Sequence, residues 1–209
     1  DGDIRLRAVL AAAKDCEVIA EDLGWVPAYV RPHLADLGIT GYRIPHWDCN
    51  EHGHPTPGNA FPENSFATYS THDHHPINGI WRGCLAVIKQ HQENPTEQSG
   101  WAVGGAQNTL RILAEFAAVP IGDHAPWPPF TEGVRLRLIK ALFASNSRYA
   151  ALMITELFNL DEQFNHPGTC GGENWRFRLP WTLDEIRADR ELEESGQKLA
   201  NLISITRRG

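Results

Sequence analysis

Hydrophobic and polar positions along the chain alternate between a helical period and short apolar runs. In residues 4–14, Leu6, Val9, Leu10 and Ala13 fall on one helical face. Val18, Ile19 and Ala20 then form a brief apolar run that stops at Glu21–Asp22, which predicts a buried strand with two acids at its carboxyl end. The spacing of Val26, Val30, Leu34 and Leu37 predicts a helix over 26–38, split at Pro32 and closed by Gly38. A second strand is expected over 41–47 and a third over 65–73, ending at His72–Asp73. Residues 78–93, 104–119 and 131–145 read as helices, and 148–160 contains a fourth apolar strand.

Between these lie loops. Residues 48–64, 94–104, 120–130 and 161–181 are rich in Gly, Ser, Asn and Pro. Thr182 and Glu185 have capping-box spacing and predict one terminal helix beyond them. Strands alternating with helices predict an α/β fold with a parallel sheet. Four strands are half of a (β/α)8 TIM barrel, which needs eight and typically about 250 residues. The expectation is therefore the C-terminal half of such a barrel, with long inserted loops and a terminal helix, spanning 1–209 and lacking its upstream half.

The chain has 209 residues, 42% apolar, enough for a sizeable core. Its formal net charge of −7, with basic residues scattered, argues against a nucleic-acid partner. Seven tryptophans suit either the core or the stacking of sugar rings. Cys16, Cys49, Cys84 and Cys170 form no C-x-x-C pair and read as free thiols in a reducing compartment, hence a cytoplasmic protein, or a plastid one from a plant-like source. No apolar run reaches the ~18 residues of a membrane span.

In a barrel, chemistry sits at the carboxyl ends of the strands, where Glu21 and Asp73 both fall. Paired carboxylates are what glycosidic-bond chemistry requires, although acids at strand ends also cap helices. The histidine groups, His72, His74 and His75 or His46, His52 and His54 with Asp48 and Cys49, have ligand chemistry. Their spacing fits no zinc pattern, so neither a metal nor a cofactor is expected.

Four segments resemble the 4-α-glucanotransferases (amylomaltases, disproportionating enzymes) of glycoside hydrolase family 77. They are "VIAEDLGWVPAYVRPHLADLGITGYRI" (18–44), "FPENSFATYSTHD" (61–73), "PINGIW" (76–81), and "NHPGT" with "NWRFRLP" (165–180). The resemblance implies a retaining double displacement on α-1,4-glucans such as starch or glycogen, with a maltooligosaccharide or glucose acceptor. Glu21 would be the general acid/base. Asp73 would be the carboxylate that holds the reacting sugar, with His72 bonded to the same ring. Asp22, His74, Trp47, Trp81, Asn174 and Trp175 would line the substrate site. The family's nucleophile is an aspartate in an arginine-x-aspartate motif upstream of AEDLG, which these residues do not contain. This stretch alone is thus expected to be inactive, and to need the missing half of the barrel as its partner. "RIPHW" and "HHPI" depart from the commoner members, which bears on acceptor contacts. Two other readings fit the residues: a non-catalytic α-glucan-binding or scaffold protein on a decayed barrel, and a histidine-based metal-dependent hydrolase.

Overall fold

The computed structural model describes residues 1–122 and 127–208. Four parallel strands, β1 (Ile19–Ala20), β2 (Thr40–Arg43), β3 (Ser65–Ala67) and β4 (Tyr149–Ala150), stand side by side in sequence order. All four carboxyl ends therefore open on one edge of the sheet. The strands are far shorter than the apolar runs that predicted them.

Helix α1 (Gly2–Ala13) precedes β1, and α2 (Val30–Asp36) crosses from β1 to β2. Pro32 does not split α2: it lies in the first turn, where a missing N–H costs nothing. β2 and β3 are joined by a long loop with one 3-10 turn (Gly58–Ala60). Three helices separate β3 from β4: α3 (Ile77–Glu93), α4 (Glu97–Phe116) and α5 (Glu132–Phe143).

The predicted loop over 94–104 is mostly helix. Thr96 accepts from the Ser99 N–H at 3.0 Å while Ser99 Oγ accepts from the Thr96 N–H at 2.9 Å, so α4 starts with a serine-based capping box. The proline-rich loop over 120–130 lies partly at 123–126, outside the described residues. After β4 the chain turns into α6 (Ile154–Leu157), not further strand. The terminal helix is two, α7 (Leu183–Ala188) and α8 (Arg190–Ile205). Asp189 ends the first and caps the second through the Glu191 and Leu192 N–H groups.

The core lies between one sheet face and helices α3 to α5. Ala67, Tyr69, Ile77, Trp81, Leu110 and Leu138 meet there, all at most 1% exposed. The Tyr69 hydroxyl donates to the Leu138 carbonyl at 2.8 Å, which lets a phenol sit in an apolar core. The other sheet face carries Tyr42, Phe66 and Tyr149, level in register with tilted rings 4.8 and 6.3 Å apart, but only partly buried.

At the amino ends, Glu17, just before β1, accepts from Arg148 at 2.9 Å and from the Tyr149 hydroxyl on β4. In a flat sheet these edge strands would be about 14 Å apart. Their contact requires the sheet to curl toward the Tyr42–Phe66–Tyr149 face. All four cysteines are free thiols. Among the described residues no helix is long and apolar enough to cross a membrane.

Candidate active site

At the carboxyl end of β1 the Asp22 N–H donates to the Ala20 carbonyl at 3.0 Å, a tight turn centred on Glu21. The turn separates the two acids. Glu21 stands exposed. Asp22 folds back under β2 with a side chain 2% exposed, accepting from the Tyr42 N–H at 2.6 Å and from Arg31 Nε at 2.9 Å. A Cβ on Gly41 would meet that carboxylate at 3.1 Å, so any side chain there would press on it. The expectation that Asp22 binds substrate is corrected: both its oxygens are engaged within the protein and its side chain is buried.

Beyond β3, Thr71 organises the next corner. Its hydroxyl lies 2.9 Å from His74 Nδ1 and accepts from the Asp73 N–H at 3.3 Å, while its carbonyl accepts from the His74 N–H. The Asp73 carboxylate accepts from Asn165 Nδ2 at 2.6 Å and lies 3.2 Å from His72 Nε2. Gln163 Nε2 donates to the carbonyls of Asp73, at 2.7 Å, and Asn165, at 2.6 Å. The late loop is thereby fastened to the corner from 90 residues away. The same loop stacks Trp175, in the left-handed region at φ 61°, on the His72 ring at 5.1 Å.

From the end of β2 comes Trp47, held edge-on between His46 at 5.3 Å and His74 at 4.7 Å. Trp47 and Trp175 remain 47% and 62% exposed, with ring faces available to a flat ligand.

The charges converge on His74. Burial lowers its pKa, whereas the Asp73 and Glu21 carboxylates both act to raise it. One imidazole thus lies within electrostatic reach of the acids that end β1 and the β3 corner. Burial also drives His46 down to about 4, with a smaller contribution from His74; its Nδ1 is buried with no hydrogen-bond partner among the described residues. Glu21 raises the pKa of Tyr42, after burial, which puts that phenol near the same carboxylate.

A family model described as 4-alpha-glucanotransferase matches residues 2–184. The chain belongs to the 4-α-glucanotransferase family. Among curated 4-alpha-glucanotransferases it is 25% identical to that of Chlamydia trachomatis over 181 residues, covering 83% of this chain and 30% of the relative. To that of Mycobacterium bovis it is 28% identical over 204 residues, covering 91% and 28%. It superposes on amylomaltase from Corynebacterium glutamicum with a TM-score of 0.69 at 19% identity, over 92% of this chain and 30% of that one. For amylomaltase from Streptococcus agalactiae in complex with acarbose the TM-score is 0.60 at 20% identity, over 97% and 34%. The chain thus spans about a third of the length of the relatives it matches. Transferase chemistry on starch- or glycogen-type glucans is the family's character.

Within this family member, the sequence-predicted residues divide. Glu21, His72, Asp73, His74, Trp47 and Trp175 gather at the carboxyl edge of the sheet. Trp81 does not. It is fully buried in the core and its Nε1 donates to the Pro128 carbonyl at 3.0 Å, so the expectation that it binds sugar is corrected. Asn174 accepts from the His166 N–H at 2.9 Å and donates to Thr169 Oγ1 at 2.9 Å, which occupies both ends of its amide in holding the loop. Among the described residues no three His, Cys, Asp or Glu side chains converge as a metal site.

Sequence reasoning missed Asn165, Gln163, Thr71 and Glu156. For Asn165 the signal was present: it opens the "NHPGT" segment that carried the family resemblance. Gln163 and Thr71 act through contacts that only the fold creates.

Proposed function

We propose that this chain is the C-terminal part of a (β/α)8 glucanotransferase domain and supplies its acid/base and its sugar-holding carboxylate. The observation that carries this reading is the parallel order of β1 to β4, which sets Glu21, after β1, and the Asp73 corner, after β3, on one edge of the sheet. The curled sheet, with its partly buried Tyr42–Phe66–Tyr149 row, suits a barrel interior completed by further strands outside these 209 residues.

In this reading Glu21 protonates the departing glycosidic oxygen and later takes the proton of the incoming sugar hydroxyl. Its exposure here is relieved when glucan and the rest of the barrel cover it. Asp73, oriented by the Asn165 amide, accepts two sugar hydroxyls and stabilises positive charge developing on the ring. His72 donates to the same sugar, its ring braced by Trp175. Trp47 offers a stacking face on the acceptor side, which favours sugar over water as the second nucleophile.

Retention needs a nucleophile roughly 5–5.5 Å from the acid/base, and in this reading it comes from outside these residues. Donor and acceptor are α-1,4-linked maltooligosaccharides. A neutral ligand suits the chain's acidic balance, and four free thiols suit a reducing compartment such as the cytoplasm.

The test is Glu21→Gln in the full-length protein, assayed by disproportionation of maltotriose. Transfer should fall by about 10³-fold or more with glucan binding retained. Retained transfer refutes the assignment. A polypeptide of residues 1–209 alone should bind glucan weakly and transfer none.

A further inference from the structure

Glu156 is 1% exposed, yet its carboxylate has three hydrogen-bond donors and no cationic side chain upon it among the described residues. One oxygen, Oε1, accepts from Ser70 Oγ at 2.6 Å and from the Ile77 N–H at 3.0 Å. These two residues flank the turn that carries Thr71, His72, Asp73 and His74. A single atom therefore pins both feet of that turn. The other oxygen accepts from the Met153 N–H at 2.9 Å, tying the turn to the segment that leaves β4. Ile77 is also the first residue of the 17-residue α3, so the carboxylate sits at the positive end of a long helix.

We infer that Glu156 is a positioning residue for transfer: its carboxylate closes the 70–77 turn and holds His72 and Asp73 in place against the reacting sugar. The inference rests on the role given to Asp73 above. The surrounding charges leave this job to the carboxylate alone. Arg135, reaching in from α5, spends its guanidinium on Glu132, on Ser195 and on the backbone carbonyls of Glu156 and Leu157. Tyr69, the other titratable group facing it, gives its hydroxyl to Leu138.

Burial raises the Glu156 pKa, with the three donors opposing the shift. Protonation places a hydrogen on an oxygen that already faces a donor. Losing the charge weakens all three bonds and the turn loosens, so acidification should lower transfer at a pH above that at which an unburied glutamate titrates.

The test is Glu156→Gln in the full-length protein. The variant should fold, with kcat for maltotriose disproportionation down about 10- to 100-fold and KM changed less than about 3-fold. The acid limb of its kcat profile should move to lower pH, because the group that titrates there is gone. A kcat per folded molecule equal to wild type, or a reduced kcat with an unmoved acid limb, overturns the inference.

Should Glu156→Gln not fold, Ser70→Ala removes one of the two bonds to Oε1. It should lower kcat about 5- to 10-fold at unchanged KM, and full activity overturns the inference. Glu21→Gln separates the two levels. If it leaves transfer intact, the functional reading itself fails. If it abolishes transfer while the Glu156 and Ser70 variants behave as wild type, only this inference does.

Discussion

Asn165 donates its side-chain amide to the Asp73 carboxylate at 2.6 Å, across 92 positions of sequence. The bond joins the late loop to the corner after β3 and points one Asp73 oxygen. Removing it should hurt the reaction more than the fold, because Asn165 lies in a half-open loop. Asn165→Ala should lower kcat about 10- to 100-fold in the full-length protein, with a small change in melting temperature. Asn165→Asp should be worse, since two facing carboxylates raise one another's pKa. Steady-state kinetics on maltotriose with parallel thermal denaturation tests both.

Asp22 makes the opposite prediction. Its carboxylate holds the Tyr42 N–H and Arg31, with Arg43 3.9 Å away and its pKa lowered by burial. Asp22→Ala should cost about 2–4 kcal/mol in urea unfolding, through an unpaired buried N–H and a poorly compensated Arg43. Transfer per folded molecule should change by less than about 3-fold. A raised KM at unchanged stability would instead make Asp22 a sugar ligand. Gly41→Ala should cost about 1–3 kcal/mol by crowding the same carboxylate. The double variant should cost less than the sum, because removing the carboxylate removes the clash.

His46 predicts a pH effect. In the fold its pKa is about 4, against an ordinary histidine near 6.5. The unfolded chain therefore binds the extra proton first, and this residue's contribution to stability is lost as pH falls from about 7 toward 4. His46→Gln should flatten that dependence by about 3 kcal/mol over the interval, read from denaturant midpoints at several pH values. A wild-type slope in the variant would contradict it.

Periodicity exposed the element order because the helices are long and the strands are punctuated. The helical spacing of Leu110, Leu113, Ala114 and Ala117 marked α4, and all four are buried. Its first two turns were hidden, since glycines at 100, 104 and 105 read as loop and the cap uses Ser99 where a glutamate is the usual sign. The two acids at 21 and 22 could not be told apart in sequence. Only the turn at Glu21 and the bare Cα of Gly41 decide which faces solvent. The family resemblance assigns Trp81 to the substrate site, but helix α3 rotates it into the core. Glu156 looked like part of an apolar strand. Its role depends on Ser70 and Ile77, 86 and 79 positions earlier, which no local pattern reports.

The central claim, that Glu21 and Asp73 serve one glucose unit in different roles, is tested most directly by chemical rescue in the full-length protein. Glu21→Ala should still form its glycosyl intermediate from α-maltosyl fluoride, whose leaving group needs no acid. Added azide should then accelerate turnover at least about 10-fold and yield the α-configured maltosyl azide, because an anionic nucleophile needs no base to displace the enzyme carboxylate and the two inversions give net retention. Asp73→Ala should stay inactive with the same donor, with or without azide. Rescue of both variants, rescue of neither, or undiminished maltotriose transfer by Glu21→Ala would contradict the account.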